Sequence, residues 1–197
     1  MDDTYKTISH TSEALYKEKM SRFISFAIPV KTVEEVKSQV DRYNKEYYDA
    51  RHVCYAYMLG AARLDFRAND NGEPSGTAGK PILGQLNSYE LTDILIVVVR
   101  YFGGVKLGTG GLVVAYREAA KMAIEANEIV KKTVDEEVSF VFEYPFLNEV
   151  MRVVKEENPT ITNQIFEMEC EMTLSIRKSV ADKLRDRLLK VDTLRIL

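Results

Sequence analysis

The chain has 197 residues, a formal net charge of −3, and 46% hydrophobic and 29% charged residues, which excludes a disordered chain, a collagen-like chain and a coiled-coil rod. No run approaches the roughly 18 uninterrupted apolar residues of a membrane-spanning helix, and the first ten residues lack the basic and apolar regions of a signal peptide. The two cysteines provide neither a disulfide framework nor a paired zinc motif. These features predict a cytoplasmic globular protein without a membrane partner. Because the net charge is negative, the surface as a whole is not expected to attract nucleic acid.

The first strong elements are a buried strand and an amphipathic helix. Residues 21–28 are apolar on both faces, which predicts a largely buried strand, and Pro29 ends it. Thr32 is followed by Glu35 three residues later, which is the pattern of a capping box. Apolar residues at spacings of three and four then extend the predicted helix to Tyr47.

Two glycine-rich segments lie among the next elements. Residues 52–59 predict an aromatic, alternating strand. Residues 69–81 contain three glycines and two prolines, which predict a loop with special backbone geometry. Residues 93–100 form a β-branched run typical of a central strand that is covered on both faces. Residues 100–111 then carry five glycines before a predicted helix over 112–126.

The last third of the chain predicts a second unit. Alternating apolar residues indicate a strand at 138–144 and a strand pair within 160–176, each followed by helical spacing, with a last strand at 194–197. This β-α-β-β-α-β order is the ferredoxin-like order. We therefore expect an α/β domain over 1–132, with 18 basic and 17 acidic residues, and a second domain over 133–197, with 9 basic and 13 acidic residues.

The two glycine-rich segments form the candidate binding site, and we expect them to lie side by side at one surface. A glycine turn before a helix exposes backbone N–H groups and the positive end of the helix dipole. We therefore expect a phosphate or another anion near the helix start at Gly110, with charge from Lys106 and from Arg100 or Lys80. The alternative is that the glycines only satisfy the geometry of the turn.

The candidate ligand-binding or partner-binding residues share these two segments. They are Asp70, Asn71, Gly72, Glu73, Ser75, Gly76, Thr77, Gly79, Lys80, Arg100, Tyr101, Phe102, Gly103, Gly104, Lys106, Gly108, Thr109, Gly110 and Gly111. A second interpretation of Arg100 stays open, since a buried arginine needs a carboxylate partner and would pair with Asp70 or Glu73.

Known phosphate-binding and catalytic motifs do not match the sequence. Gly79-Lys80 is followed by Pro81 where a Walker loop has Ser or Thr, and the pattern G-x-G-x-x-G is absent. His52 and Cys54 share one face of a predicted strand and are secondary site candidates, but two ligands without a clear third make a weak metal site. We expect no metal, no cofactor and no identifiable catalytic residue, which favours a protein that is not an enzyme.

The glycine-rich segments also resemble a known family. Asn71–Pro81 (NGEPSGTAGKP) and Arg100–Leu112 (RYFGGVKLGTGGL) are similar to the signature of the IMPACT/YigZ family, as are Ser21–Phe23 and Ala50–Cys54. The resemblance covers residues 15–126, and the tail resembles the accessory domain of bacterial members. It implies an N-terminal domain like domain 2 of ribosomal protein S5 and a ferredoxin-like C-terminal domain.

The resemblance implies a function in translation. Mammalian and yeast members of the family regulate translation by opposing the kinase that responds to amino-acid starvation, so we expect a non-enzymatic regulatory or stress-response protein. Its partner would be RNA, the ribosome or a translation-associated protein. Two alternatives remain open: an enzyme or binder that takes a small phosphorylated ligand or nucleotide, and a protein–protein adaptor that uses the two segments as a rigid epitope.

Overall fold

A computed structural model describes residues 3–197, which form a mixed α/β protein. The described chain divides into two compact units. One unit is Tyr5–Lys132, and the other joins Thr133–Leu197 with Asp3 and Thr4. The sequence, by contrast, placed residues 3 and 4 with the rest of 1–132. None of the described helices is long and apolar enough to cross a membrane.

The first unit is built on a five-stranded antiparallel sheet. Its elements are β1 (Thr4–Ile8), β2 (Ser12–Glu18), β3 (Ser21–Pro29), α1 (Val33–Glu46), β4 (His52–Leu59), β5 (Asp65–Asn69), α2 (Gly79–Ser88), β6 (Ile94–Tyr101), α3 (Gly108–Glu125) and β7 (Ile129–Thr133). The sheet order is β2-β3-β6-β4-β5, and β1 pairs with β7 in a separate two-stranded sheet. The sequence patterns did not predict β1 or β7, because each is short and its pairing partner lies more than 120 residues away.

The central strand β6 explains why its sequence is a continuous apolar run. Ile94, Ile96 and Val98 point into the core beneath α2 and α3, whereas Leu95 and Val97 point into the core beneath α1. All five side chains are fully buried. A strand covered on both faces needs no polar alternation, as the sequence predicted.

The first and third helices begin in different ways. Thr32 Oγ1 accepts a hydrogen bond from the backbone N–H of Glu35 at 3.1 Å, so the predicted cap of α1 is confirmed. Helix α3 begins at Gly108, four residues before the predicted start at Leu112 and two before the expected anion site at Gly110. The glycine-rich first turn carries no apolar periodicity, so the pattern could not reveal it.

The second unit has the element order expected from the sequence. It contains β8 (Asp135–Glu143), a short 3₁₀ turn (Tyr144–Phe146), α4 (Leu147–Glu157), β9 (Thr160–Ile165), β10 (Glu169–Arg177), α5 (Lys178–Leu188) and β11 (Arg195–Ile196). The sheet order is β11-β8-β10-β9, with antiparallel neighbours. Its core lies between the sheet and the two helices. The predicted first strand ends one residue early because Tyr144 enters the 3₁₀ turn with Pro145.

Candidate functional site

A cavity of about 440 Å³ opens between the two glycine-rich segments. Glu73 and Pro74 line it from the first segment, and the second segment lines it from Arg100 to the start of α3. Arg51 and His52, at the start of β4, complete the wall. The structure therefore brings the two predicted segments to one surface of the first unit.

Glu73 is the centre of a buried polar network at this cavity. One carboxylate oxygen, Oε1, accepts hydrogen bonds from Arg100 Nη1 at 2.6 Å and from the Tyr116 hydroxyl at 2.7 Å. The other, Oε2, lies 3.7 Å from Nε2 of His52. The side chain of Glu73 is only 3% exposed. Of the two interpretations of Arg100, the structure therefore supports the ion pair, with Glu73 rather than Asp70 as the partner.

Cys54 and His52 are held by the same network. The Cys54 thiol donates to the carbonyl of Asp70 at 2.9 Å and lies 3.4 Å from the Tyr116 hydroxyl. Burial raises the pKa of Cys54 to about 12, so the thiol stays protonated and is a poor nucleophile at neutral pH. His52 Nδ1 donates to the carbonyl of Asn71 at 2.7 Å. Among residues 3–197, no group of three or more His, Cys, Asp or Glu side chains is arranged to hold a metal ion.

Asp70 stabilises its own loop. Its carboxylate accepts three backbone hydrogen bonds, from Gly76 at 2.9 Å, Ala78 at 3.1 Å and Gly79 at 2.8 Å. Burial by itself would raise the pKa of Asp70, but these three donors outweigh it and hold the pKa below its usual value. The carboxylate is therefore occupied in closing the turn that leads into α2.

Several other predicted residues also serve the loop or lie outside the cavity. The Thr77 hydroxyl donates to the carbonyl of Pro74 at 2.6 Å and is buried. Ser75 and Lys80 are exposed, but neither lines the cavity. Tyr101 lies on the opposite face of the sheet from Arg100, where its hydroxyl donates to Asp49 at 2.8 Å. Tyr101 therefore lies apart from the cavity, although the two segments themselves meet there.

The glycines of the two segments have different roles. A Cβ atom on Gly103 would lie 2.1 Å from the carbonyl carbon of Met20, and one on Gly79 would lie 2.4 Å from the backbone nitrogen of Asn69. These two glycines allow close backbone packing. Gly108 has a φ of 75°, which L-residues rarely adopt. Gly110 has neither constraint: its φ is ordinary and the space around it is open.

The rim of the cavity combines positive charge with an aromatic ring. Lys106 and Arg51 are exposed and line it, and Phe102 is 49% exposed. The guanidinium carbon of Arg100 lies 5.7 Å from the centre of the Phe102 ring. Sequence reasoning did not single out Arg51, and its position beside His52 was the available signal. It also missed Tyr116, whose apolar ring follows the core pattern of α3 while its hydroxyl reaches Glu73.

Comparison with known proteins places this site in a family. The family sequence model of the Impact N-terminal domain matches residues 19–124. These residues contain both glycine-rich segments and the whole cavity. The chain belongs to the IMPACT family. It is 39% identical to IMPACT family member YigZ of Escherichia coli over 153 residues, covering 76% of this chain and 74% of the relative. It is 34% identical to IMPACT family member YvyE of Bacillus subtilis over 153 residues, covering 78% and 70%.

A solved structure extends the similarity to the whole chain. A protein described only as a hypothetical protein superposes with a TM-score of 0.79 and 30% identity, covering all of this chain and 98% of the other. This IMPACT family protein therefore shares both units, and not only the matched N-terminal domain, with a protein of known structure.

Proposed function

We propose that this IMPACT family protein is a non-enzymatic, translation-associated binding protein that uses the cavity between the glycine-rich segments to contact RNA or a ribosomal partner. One observation carries the proposal: the two segments meet in a single cavity with exposed cations and an exposed aromatic ring at its rim. Cationic groups attract phosphates, and aromatic rings stack on unpaired bases. The translational setting rests on what the family resemblance implies.

The chemistry of the buried network supports binding over catalysis. The Cys54 thiol is protonated, and the Glu73 carboxylate is already engaged by Arg100 and Tyr116. Both groups therefore serve to position the cavity wall. We also propose that the first unit adopts the S5 domain 2-like fold and the second unit the ferredoxin-like fold. The sheet order β11-β8-β10-β9 supports the second assignment.

Binding of a short single-stranded RNA across a salt series tests the proposal. Lys106→Ala should weaken binding and lower the slope of log affinity against log salt by about one, because one phosphate contact is lost. Lys37→Ala is the matched control: Lys37 is an exposed residue of α1 that does not line the cavity, so both quantities should stay unchanged. Fluorescence anisotropy with labelled RNA measures both.

Two results would redirect the proposal. If the wild-type protein does not bind RNA but captures a translation-associated protein after nuclease treatment, the adaptor function is favoured. A small phosphorylated ligand is the second candidate, because a concave cavity of about 440 Å³ has the size of a small-molecule site. A rise in melting temperature with a nucleotide and magnesium, without RNA binding, would favour it.

A further inference from the structure

We propose that the ligand of this cavity presents a phosphate oxyanion to the free edge of the Arg100 guanidinium and to the first turn of α3. The proposal rests on the proposed function and names the chemical contact that this function would use. Arg100 and the start of α3 line the same cavity. Each of them offers N–H donors that the protein itself leaves unused.

Arg100 is buried with much of its hydrogen-bonding capacity unfilled. The residue is 6% exposed, and the one guanidinium hydrogen bond that it makes to residues 3–197 runs from Nη1 to Glu73. Nε is buried without a partner, and Nη2 has none among the described residues. Nε and Nη2 form the edge of a guanidinium that binds two oxygens of one anion in parallel. Because buried N–H groups are normally paired in native proteins, we expect a bound ligand to supply the missing hydrogen-bond acceptor.

The first turn of α3 offers a second set of donors. Helix α3 has 18 residues, its N-cap residue Leu107 makes no side-chain capping bond, and its first turn contains no acidic residue. Gly108 and Thr109 are exposed at this turn, and both line the cavity. The positive end of the helix is therefore uncapped and open to close approach.

Glu73 fixes the orientation of Arg100 without cancelling the attraction of the cavity for an anion. Of the guanidinium nitrogens, its carboxylate accepts from Nη1 alone, and Nε keeps no partner among the described residues. The cavity lining also contains the exposed cations Arg51 and Lys106, while Glu73 is its single carboxylate among the described lining residues. The fixed charges of the lining are therefore positive on balance, with His52 as the remaining titratable group.

The geometry favours phosphate over carboxylate. A carboxylate has two oxygens, and the Arg100 edge satisfies both of them. A phosphate has further oxygens, and the first turn of α3, the Thr109 hydroxyl and Lys106 offer donors for them. The phosphate could belong to an RNA backbone or to a free nucleotide, and these two sources share the same contact.

The side-chain Nε–H signal of Arg100 in the wild-type protein gives a direct test. Inorganic phosphate, added to ¹⁵N-labelled protein at constant ionic strength, should shift this signal in a saturable manner, because the buried N–H gains a charged acceptor. Acetate should shift it less, and chloride should not shift it. A linear response to phosphate, or an equal response to chloride, would overturn the proposal. Through-bond correlations along the Arg100 side chain in the wild-type protein identify the signal.

The same variant tests the paired donors. Arg100→Lys keeps a cation beside Glu73 but removes the two-donor edge, so phosphate affinity should fall about tenfold or more, as expected for a lost charge-assisted pair. Arg67→Lys, on the exposed edge strand β5, is the matched control and should bind phosphate as the wild type does. Unchanged affinity in a folded Arg100→Lys protein would contradict the proposal, and the wild-type titration decides the matter if this variant does not fold.

Further titrations separate this proposal from the proposed function. Uridine monophosphate and a short single-stranded RNA are added in turn while the Arg100 signal is followed. If RNA binds without moving the signal, the phosphate contact at Arg100 is wrong and the proposed function stands. If phosphate and the mononucleotide move it but RNA does not bind, the contact stands and the proposed function is wrong.

Discussion

At the scale of single residues, the two acidic side chains of the first glycine-rich segment have different hydrogen-bond partners. Glu73 points into the cavity wall and orients Arg100, whereas Asp70 turns back onto its own loop. Both carboxylates are needed by the protein itself. The two carboxylates of this segment therefore stabilise the cavity wall and the loop beside it.

Asp70→Asn should lower the free energy of unfolding by about 1–2 kcal/mol at pH 7, because it weakens three charge-assisted backbone hydrogen bonds at a partly exposed site. The pKa of Asp70 is lowered in the folded state, so its stabilisation is complete above the unfolded pKa of about 3.9. It is lost as the pH falls through the lower folded pKa. Urea denaturation followed by circular dichroism should therefore show the two proteins converging in acid.

A matched carboxylate separates this effect from a general change of charge. Asp41→Asn removes the same charge from an exposed position on α1. Its effect on unfolding should stay within about 0.5 kcal/mol at every pH. If Asp41→Asn and Asp70→Asn have the same pH dependence, the loop hydrogen bonds of Asp70 are not the cause.

At the scale of elements, the connection from β6 to α3 shows why the second segment contains so many glycines. Gly103 lets the chain pass against the backbone of the β2–β3 turn, and Gly108 supplies the left-handed backbone at which α3 begins. Gly110 meets no such requirement. The structural explanation of the glycines therefore accounts for part of the segment and leaves the first turn of α3 as its open surface.

Gly103→Ala should destabilise the protein, whereas Gly110→Ala should not. At Gly103 the added Cβ would lie 2.1 Å from backbone, so one strand connection must shift, and we expect a loss of about 1–3 kcal/mol. At Gly110 the methyl group enters open space within a helix, so stability should be unchanged or rise by up to about 1 kcal/mol. Thermal and urea unfolding measure both, and equal losses at the two positions would contradict the assignment.

At the scale of the whole molecule, the described residues on either side of the first unit, before Tyr5 and after Lys132, both belong to the second unit. Asp3 belongs with the second unit, where its carboxylate accepts hydrogen bonds from Arg177 at 2.6 and 2.8 Å and from the backbone of Ser179 at 3.0 Å. The hydrogen bonds from Arg177 and Ser179 lower the pKa of Asp3, so the contact is strongest when the carboxylate is charged.

Asp3→Asn should therefore weaken the second unit alone. Hydrogen exchange of the amides in β8 and β10 should become faster, while exchange in β6 of the first unit stays as in the wild type. Asp192→Asn, an exposed change within the second unit, is the control and should leave both sets unchanged. Equal acceleration in both units would mean that Asp3 supports the fold as a whole.

The sequence by itself determined the elements whose signals are local. The cap of α1 at Thr32, the doubly buried β6 and the β-α-β-β-α-β order of the second unit all follow from periodicity and short-range hydrogen bonding. The family also followed from the sequence, because the two glycine-rich segments are long and irregular and the family model matches them. Each element of these patterns is recognised from residues that are close together in the sequence.

Only the tertiary structure decided how the candidate site is built. Arg100 and Glu73 are 27 residues apart, and Tyr116 is 43 residues from Glu73, so no spacing rule indicates that they meet. The sequence left Arg100 between an ion pair and an anion contact. The fold pairs Nη1 with Glu73 and leaves Nε buried without a partner among the described residues, because burial and hydrogen-bond geometry depend on which chain segments the sheet brings together.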